Sequence, residues 1–191
     1  MDFIAQLDTE VFFWLNSLHT PWLDPVMFYA TKTALWIPFF GLLLYLLIKK
    51  YKRQVWIPLI GVVLCLAATD RITSGIMKPA FERLRPSHEP VLMEKVHTVN
   101  GYRGGKFGFA SSHAANSFGI AMLFFLLLRS TARSISWIFL WAVLFSYTRI
   151  YLGVHYPGDI LVGAIIGLCC GWIATLFTRW LEERQSSTAK M

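Results

Sequence analysis

The sequence predicts an all-α protein, a polytopic membrane helix bundle, and three observations carry that prediction. Of 191 residues 55% are apolar and only 15% charged, against roughly 25% charged in a soluble domain. Eight Trp, fifteen Phe and seven Tyr suit a chain solvated by lipid tails with aromatic residues at the interfaces. Five long uncharged windows, 33–48, 54–69, 107–128, 134–148 and 160–178, lie between charged residues, each near the roughly 17–25 residues a spanning helix needs. Five transmembrane helices are therefore expected. The composition excludes disorder, collagen and coiled coil, and the length suits one domain. Cys65, Cys169 and Cys170 all sit in apolar runs, where a thiol behaves as a small hydrophobe.

The first thirty residues carry Asp2, Asp8, Glu10 and Asp24, with Lys32 just beyond, which is too much charge for a span. They also lack the basic start and small-residue cleavage site of a signal peptide. Phe3, Ile4, Leu7, Val11, Trp14, Leu15 and Leu18 recur every three or four residues, the stripe of an amphipathic helix lying in the interface. A short sixth span is the alternative. The second window extends past Asp70 and Arg71 to about Met77, and the fourth past Arg149 to about Gly153. Those charges then lie near helix ends, where insertion costs less than at the bilayer centre. The chain divides into an N-terminal segment 1–32, a membrane domain 33–180 and a cytoplasmic tail 181–191.

Lys49, Lys50, Lys52 and Arg53 follow the first helix, Arg129 and Arg133 the third, Arg179 and Arg184 the fifth. All fall on one side, which the positive-inside rule makes cytoplasmic. Segments 78–110 and 153–158 then both face outward, on the periplasmic or exterior side of a bacterial inner membrane. The net charge of +7 is expected to meet anionic lipid rather than nucleic acid, because the basic residues cluster at segment ends and in one loop. No obligatory protein partner is implied.

The outward segments carry the chemistry. Lys78 and Arg85 are seven residues apart, and a short helix over 79–85, started by Pro79, would put both on nearly one face. The guanidinium fork and the ammonium point charge could grip one anion together. Ser111 or Ser112 can cap the third helix, whose start then binds phosphate readily, with His113 close enough to exchange a proton. Pro157 is expected to begin the fifth helix, with His155 just before it and Asp159 in its first turn. Asp159 can accept a hydrogen bond from one nitrogen of His155 and leave the other as a lone pair aimed at the anion. Singly, each residue has a structural explanation as an interfacial cation, a cap or a dipole partner. Together they converge on one surface by an argument that used none of their identities.

At these residues the chain resembles the type-2 phosphatidic acid phosphatase family, whose three motifs read K-x6-RP, PSGH and SR-x5-H-x3-D. Here they stand as Lys78 to Arg85-Pro86, Ala110-Ser111-Ser112-His113, and Thr148-Arg149 to His155 and Asp159, over roughly residues 20–180. The resemblance implies a metal-free, cofactor-free membrane phosphatase acting on a lipid phosphate. It implies that His155 is the nucleophile forming a phosphohistidine, that Asp159 orients it, and that His113 protonates the leaving oxygen and then activates water. Lys78, Arg85, Arg149 and the backbone around Ser112 would hold the phosphoryl oxygens, since phosphoryl transfer depends on positioning and charge stabilisation. The departures are Ala110 for Pro, Ser112 for Gly and Thr148 for Ser, none of which removes a proton-transfer or nucleophilic group.

The compact length resembles undecaprenyl diphosphate phosphatases. The Ser-Ser-His form and the stretch Asn100-Gly101-Tyr102-Arg103-Gly104-Gly105 resemble lipid A phosphatases, and phosphatidylglycerol phosphate is a third substrate in the family. The Gly residues of that loop allow close backbone approach to a head group. A transporter or channel using Asp70, Arg71, Arg149 and His155 is the alternative from another class, but it would need polar residues through the bilayer midplane, and the helix middles are almost wholly apolar.

Overall fold

In lipid every backbone N–H must find a carbonyl within its own segment, so an apolar run resolves into helix. The computed structural model describes residues 3–188; Met1, Asp2 and residues 189–191, the end of the expected tail, lie outside them. The order is α1 (Phe3–Asn16), α2 (Leu23–Ala30), α3 (Ile37–Tyr51), α4 (Trp56–Asp70), α5 (Lys78–Phe81), α6 (Ser112–Leu128), α7 (Ile138–Tyr151) and α8 (Pro157–Thr188). A π-helical stretch, Arg71–Met77, joins α4 to α5. No strand is present among the described residues, and the protein is a multi-pass membrane helix bundle.

Among the described residues, three helical segments are long and apolar enough to cross a membrane by length and composition: Thr33–Gln54, Trp56–Phe81 and Pro157–Ser187. The third and fourth predicted windows yield shorter helices of 17 and 14 residues. Their first residues go elsewhere: Phe107 pairs with Leu84 in an isolated antiparallel bridge, and Arg133–Trp137 form a 3-10 turn. At the far end, residues 181–188 continue α8 as helix.

The expected short helix over 79–85 does not form. The membrane helix runs through Lys78 to Phe81 and stops at Glu82, which adopts a left-handed conformation with φ 45°. Arg83 to Arg85 then run extended toward the Leu84–Phe107 bridge. Lys78 and Arg85 therefore belong to different local structures, and helical periodicity does not relate them.

α6 occupies the centre, with Ala115, Ile120, Ala121, Leu123, Phe124 and Leu127 all buried. Beyond Ser117 it is apolar on every side, as a helix enclosed by others should be. α8 lies against it through Gly163, Gly167 and Gly171, where an added Cβ would run into Ser111 O, Ala115 O and Gly119 O respectively. Small residues at four-residue spacing allow backbones to approach closely in membranes, and this contact brings the start of α6 beside the start of α8.

The N-terminal helix has two distinct faces. Phe3, Ile4, Leu7, Trp14 and Leu18 are exposed, so the predicted stripe turns away from the bundle, and Phe12 and Asn16 are the buried residues that dock. Fourteen residues reach about 21 Å, short of the roughly 30 Å hydrocarbon core.

Candidate active site

Lys78 Nζ donates to Ser74 Oγ at 3.0 Å and to Ser112 Oγ at 2.8 Å. The Ser112 hydroxyl also meets those of Thr73 and Ser74, each at 2.8 Å. The π-helical stretch gathers these groups around a single hydroxyl, a role such wide turns often have at functional sites. Ser111, extended at the N-cap of α6, accepts from Ala114 N at 3.5 Å. The first N–H donors of α6 have no carbonyl within their own helix to bond.

Arg85 is buried, with Nε donating to Phe107 O at 3.1 Å and Nη1 to Val154 O at 3.4 Å. Burial, reinforced by the charge of Arg149, lowers its pKa to about 10, which leaves it protonated at neutral pH. Gly104, at φ +67°, packs on this guanidinium, and a Cβ there would stand 2.7 Å from Nη1. The glycine expected to face a head group thus faces Arg85. Arg149, also buried, donates through Nη1 to Thr31 Oγ1 at 2.6 Å and through Nη2 to Tyr102 Oη at 3.0 Å. Its Nε is buried without a hydrogen-bond partner, a position that an anion would satisfy.

His155 lies in the turn between α7 and α8, with only 2% of its surface exposed. Its Nδ1 is 3.2 Å from Asp159 Oδ2, which also accepts Tyr156 N–H at 3.1 Å. Burial first, then the charges of Arg85, Arg149, Lys78 and Arg83, hold His155 well below its ordinary pKa, so the ring is neutral. With Nδ1 directed at a carboxylate, the lone pair is on Nε2. His113, in the first turn of α6, stacks on Phe145 at 5.5 Å between centroids and lies within electrostatic range of Arg149, His155, Arg85 and Lys78. A Cβ placed on Gly108 would be 3.0 Å from Asp159 Oδ2, 3.2 Å from Arg85 Cγ and 3.5 Å from His155 Nδ1. The segments carrying these groups converge there.

The structure thus gathers Lys78 with Ser112, and Arg85 with His155 and Asp159, at the same end of the bundle, with Arg149 and His113 in electrostatic range. Besides Thr73 and Ser74, other contributors were not singled out as site residues from sequence. Arg83 Nη1 bonds Asp159 Oδ1 at 2.9 Å, and its Nη2 bonds Asp8 Oδ2 at 2.7 Å; Thr31 and Tyr102 hold Arg149. Only the alternation of Arg83 with Arg85 in an extended stretch hinted at any of this.

An apolar cavity of about 450 Å³ opens beside the site, lined by Phe40, Leu43, Leu66, Phe124 and Trp141, with His113 and Asn116 among its polar groups. From His113 to Phe124 it follows α6 for about 16 Å. A separate group, His19, Asp24 and His97, brings possible metal-ligand atoms within 4.8 Å of one another. The two imidazoles stack in nearly parallel planes with their centroids 3.7 Å apart, so their in-plane lone pairs do not converge on one point. Asp24 instead accepts from Tyr151 at 2.7 Å and meets His97 Nε2 at 2.9 Å. Burial pushes its carboxyl up, but these hydrogen bonds prevail and leave it below the usual range.

The chain is 39% identical to the lipid A 4'-phosphatase of Bacteroides thetaiotaomicron, over 98% of this chain and 84% of that protein. It is 34% identical to the lipid A 4'-phosphatase of Porphyromonas gingivalis, over 90% and 72% respectively. Among solved structures, Aquifex aeolicus LpxE superimposes with a TM-score of 0.68 at 28% identity, covering 88% of this chain and 94% of that one. The sequence pattern of the PAP2 superfamily matches residues 58–183 and so takes in Lys78, Arg85, Ser112, His113, Arg149, His155 and Asp159. With that match and those relatives agreeing, the chain belongs to the PAP2 superfamily.

Proposed function

We propose that this protein is a lipid A phosphatase that releases inorganic phosphate through a phosphohistidine on His155. The observation carrying this reading is the buried, neutral His155, held through Nδ1 by Asp159 among four cations. A phosphate entering this cluster is drawn by Lys78, Arg85 and Arg149 and can accept from Arg149 Nε and the start of α6. His155 Nε2 attacks phosphorus, and as the P–N bond forms the P–O bond to the lipid breaks. His113, held as imidazolium by the negative charge of the bound phosphate, gives its proton to the departing oxygen. A water then attacks the phosphohistidine, passing a proton to His113, and the P–N bond breaks to free phosphate. Charge spread over the transferring oxygens is met by the three fixed cations and the helix start.

The apolar cavity beside His113 suits an acyl chain whose phosphate sits at the helix ends. The names of the two relatives favour lipid A over undecaprenyl diphosphate or phosphatidylglycerol phosphate. The distribution of Lys and Arg among the loops supports an active site on the outer face of the inner membrane. The alternative of a transporter draws no support, because the ionisable groups of the site gather at one end of the bundle.

The test is phosphate release by purified protein in mixed micelles with lipid A, undecaprenyl diphosphate, phosphatidic acid or phosphatidylglycerol phosphate. Lipid A is expected to turn over fastest, and His155→Ala to release nothing while remaining folded. Release by His155→Ala at the wild-type rate would refute the nucleophile, and faster turnover of another lipid would refute the substrate.

A further inference from the structure

We propose that Asp8 and Arg83 are positioning residues for His155, which makes the N-terminal helix part of the active site. The inference rests on the reading of His155 as nucleophile and adds to it a source of alignment that none of the three motifs specifies.

Asp159 is fully buried, and both its oxygens are in use. Oδ2 takes His155 Nδ1 and Tyr156 N, while Oδ1 takes Arg83 Nη1. A carboxylate held through one oxygen alone can swing about its Cβ–Cγ bond and carry the imidazole with it. Arg83 fixes the second oxygen and hence the plane, and its guanidinium lies over the Tyr156 ring with Cζ 4.0 Å from the centroid. The other arm of the fork reaches Asp8 Oδ2, and Asp8 Oδ1 accepts Gly158 N–H at 2.7 Å. The contacts close on themselves: Asp8 to Arg83, Arg83 to Asp159, and the first turn of α8 back to Asp8. A planar fork with two separate arms suits this bridging of two carboxylates, each arm meeting one of them.

Asp8 does not act alone on its helix. Asp8, Phe12 and Asn16 are spaced by four residues and share one face of α1. Phe12 meets the Tyr156 ring edge-on at 5.5 Å. Asn16 Nδ2 donates to Ile150 O, Tyr151 O and His97 O, and its Oδ1 accepts His97 N–H. One face of α1 therefore touches the segment 150–158 at both ends, and that segment carries His155. The opposite face is the exposed apolar stripe.

The experiment compares Arg83→Gln, Arg83→Lys, Asp8→Asn and the double variant Asp8→Asn/Arg83→Gln with wild type on lipid A, with kcat, KM and pH–rate profiles taken alongside thermal unfolding. A lost charge-assisted bond at a buried carboxylate corresponds to about a tenfold or greater fall in kcat for Arg83→Gln, with KM within about twofold. The groups acting on His155 are Arg85, Arg149, Lys78, Arg83 and Asp159, with His113 in range. Removing one cation from that set makes protonation easier, so the acid limb of kcat/KM moves to higher pH. Arg83→Lys returns the limb to its place and recovers part of kcat. Asp8→Asn lowers kcat about three- to tenfold, and the double variant is no worse than Arg83→Gln, because the two residues act in series. An Arg83→Gln enzyme with kcat within twofold of wild type, or one whose loss only follows unfolding with an unmoved acid limb, would overturn the inference. His155→Ala separates the two readings: if it is inactive while Arg83→Gln is normal, only the positioning role falls.

Discussion

Gly163→Ala tests whether contact between two helix backbones sets the catalytic geometry. Gly163 lies one turn beyond Asp159 on α8, and a Cβ there would come 2.5 Å from Ser111 O and 3.2 Å from Ala114 Cβ. Ser111 O is backbone and cannot rotate away. To open that contact to the ordinary 3.4 Å the two helix starts must part by about 0.9 Å. His113 rides on one of them, and His155 adjoins the other. A displacement near 1 Å in a reacting pair costs about 100-fold in rate, and overpacking costs about 1–3 kcal/mol of stability. The assay is lipid A phosphate release at saturating substrate, beside a thermal unfolding curve in the same detergent. Gly41→Ala is the control, since a Cβ there meets nothing within 4 Å. A Gly163→Ala enzyme with kcat within about threefold of wild type would show that the site does not depend on this approach.

Three further outcomes follow from the site. Because His155 is held well below the ordinary histidine value of about 6.5, it stays neutral at that pH, and kcat/KM falls only in more acid solution; a limb centred at or above 6.5 contradicts the burial argument. Chelation with EDTA leaves turnover unchanged, and a loss restored by magnesium would mean that the fixed cations are insufficient. Ser112→Gly removes the hydroxyl shared by Thr73, Ser74 and Lys78. Losing a net hydrogen bond worth about 1 kcal/mol raises KM about fivefold and leaves kcat nearly unchanged, which steady-state kinetics would read directly.

Legibility in the sequence depended on how far the partners lie apart. His155 and Asp159 are four residues apart at a proline-started helix, so their bond could be expected from local rules alone. Lys78 and Arg85 were related through a helix that does not form, because a left-handed Glu82 is rare for a side chain of its kind and leaves no mark in the sequence. Asp8 looked like a charge interrupting an apolar stripe; its partners are 75 and 150 residues away, beyond any periodicity. The docking face of α1, Phe12 and Asn16, fell outside the apolar stripe read from the sequence. Gly163, Gly167 and Gly171 were open to view as a four-residue repeat, and the tight α6–α8 contact could have been read from them.

The bond from Asp8 to Gly158 has a consequence for biosynthesis. It joins residues 150 apart, so the N-terminal helix leaves the ribosome long before its partner exists. Until the start of α8 has been made and inserted, Arg83 has neither Asp159 to hold nor a seated Asp8 to hold it. No partly synthesised chain contains the complete arrangement. It forms only when α8 joins the bundle and closes a contact across 150 residues, a non-local step of the kind that slows folding.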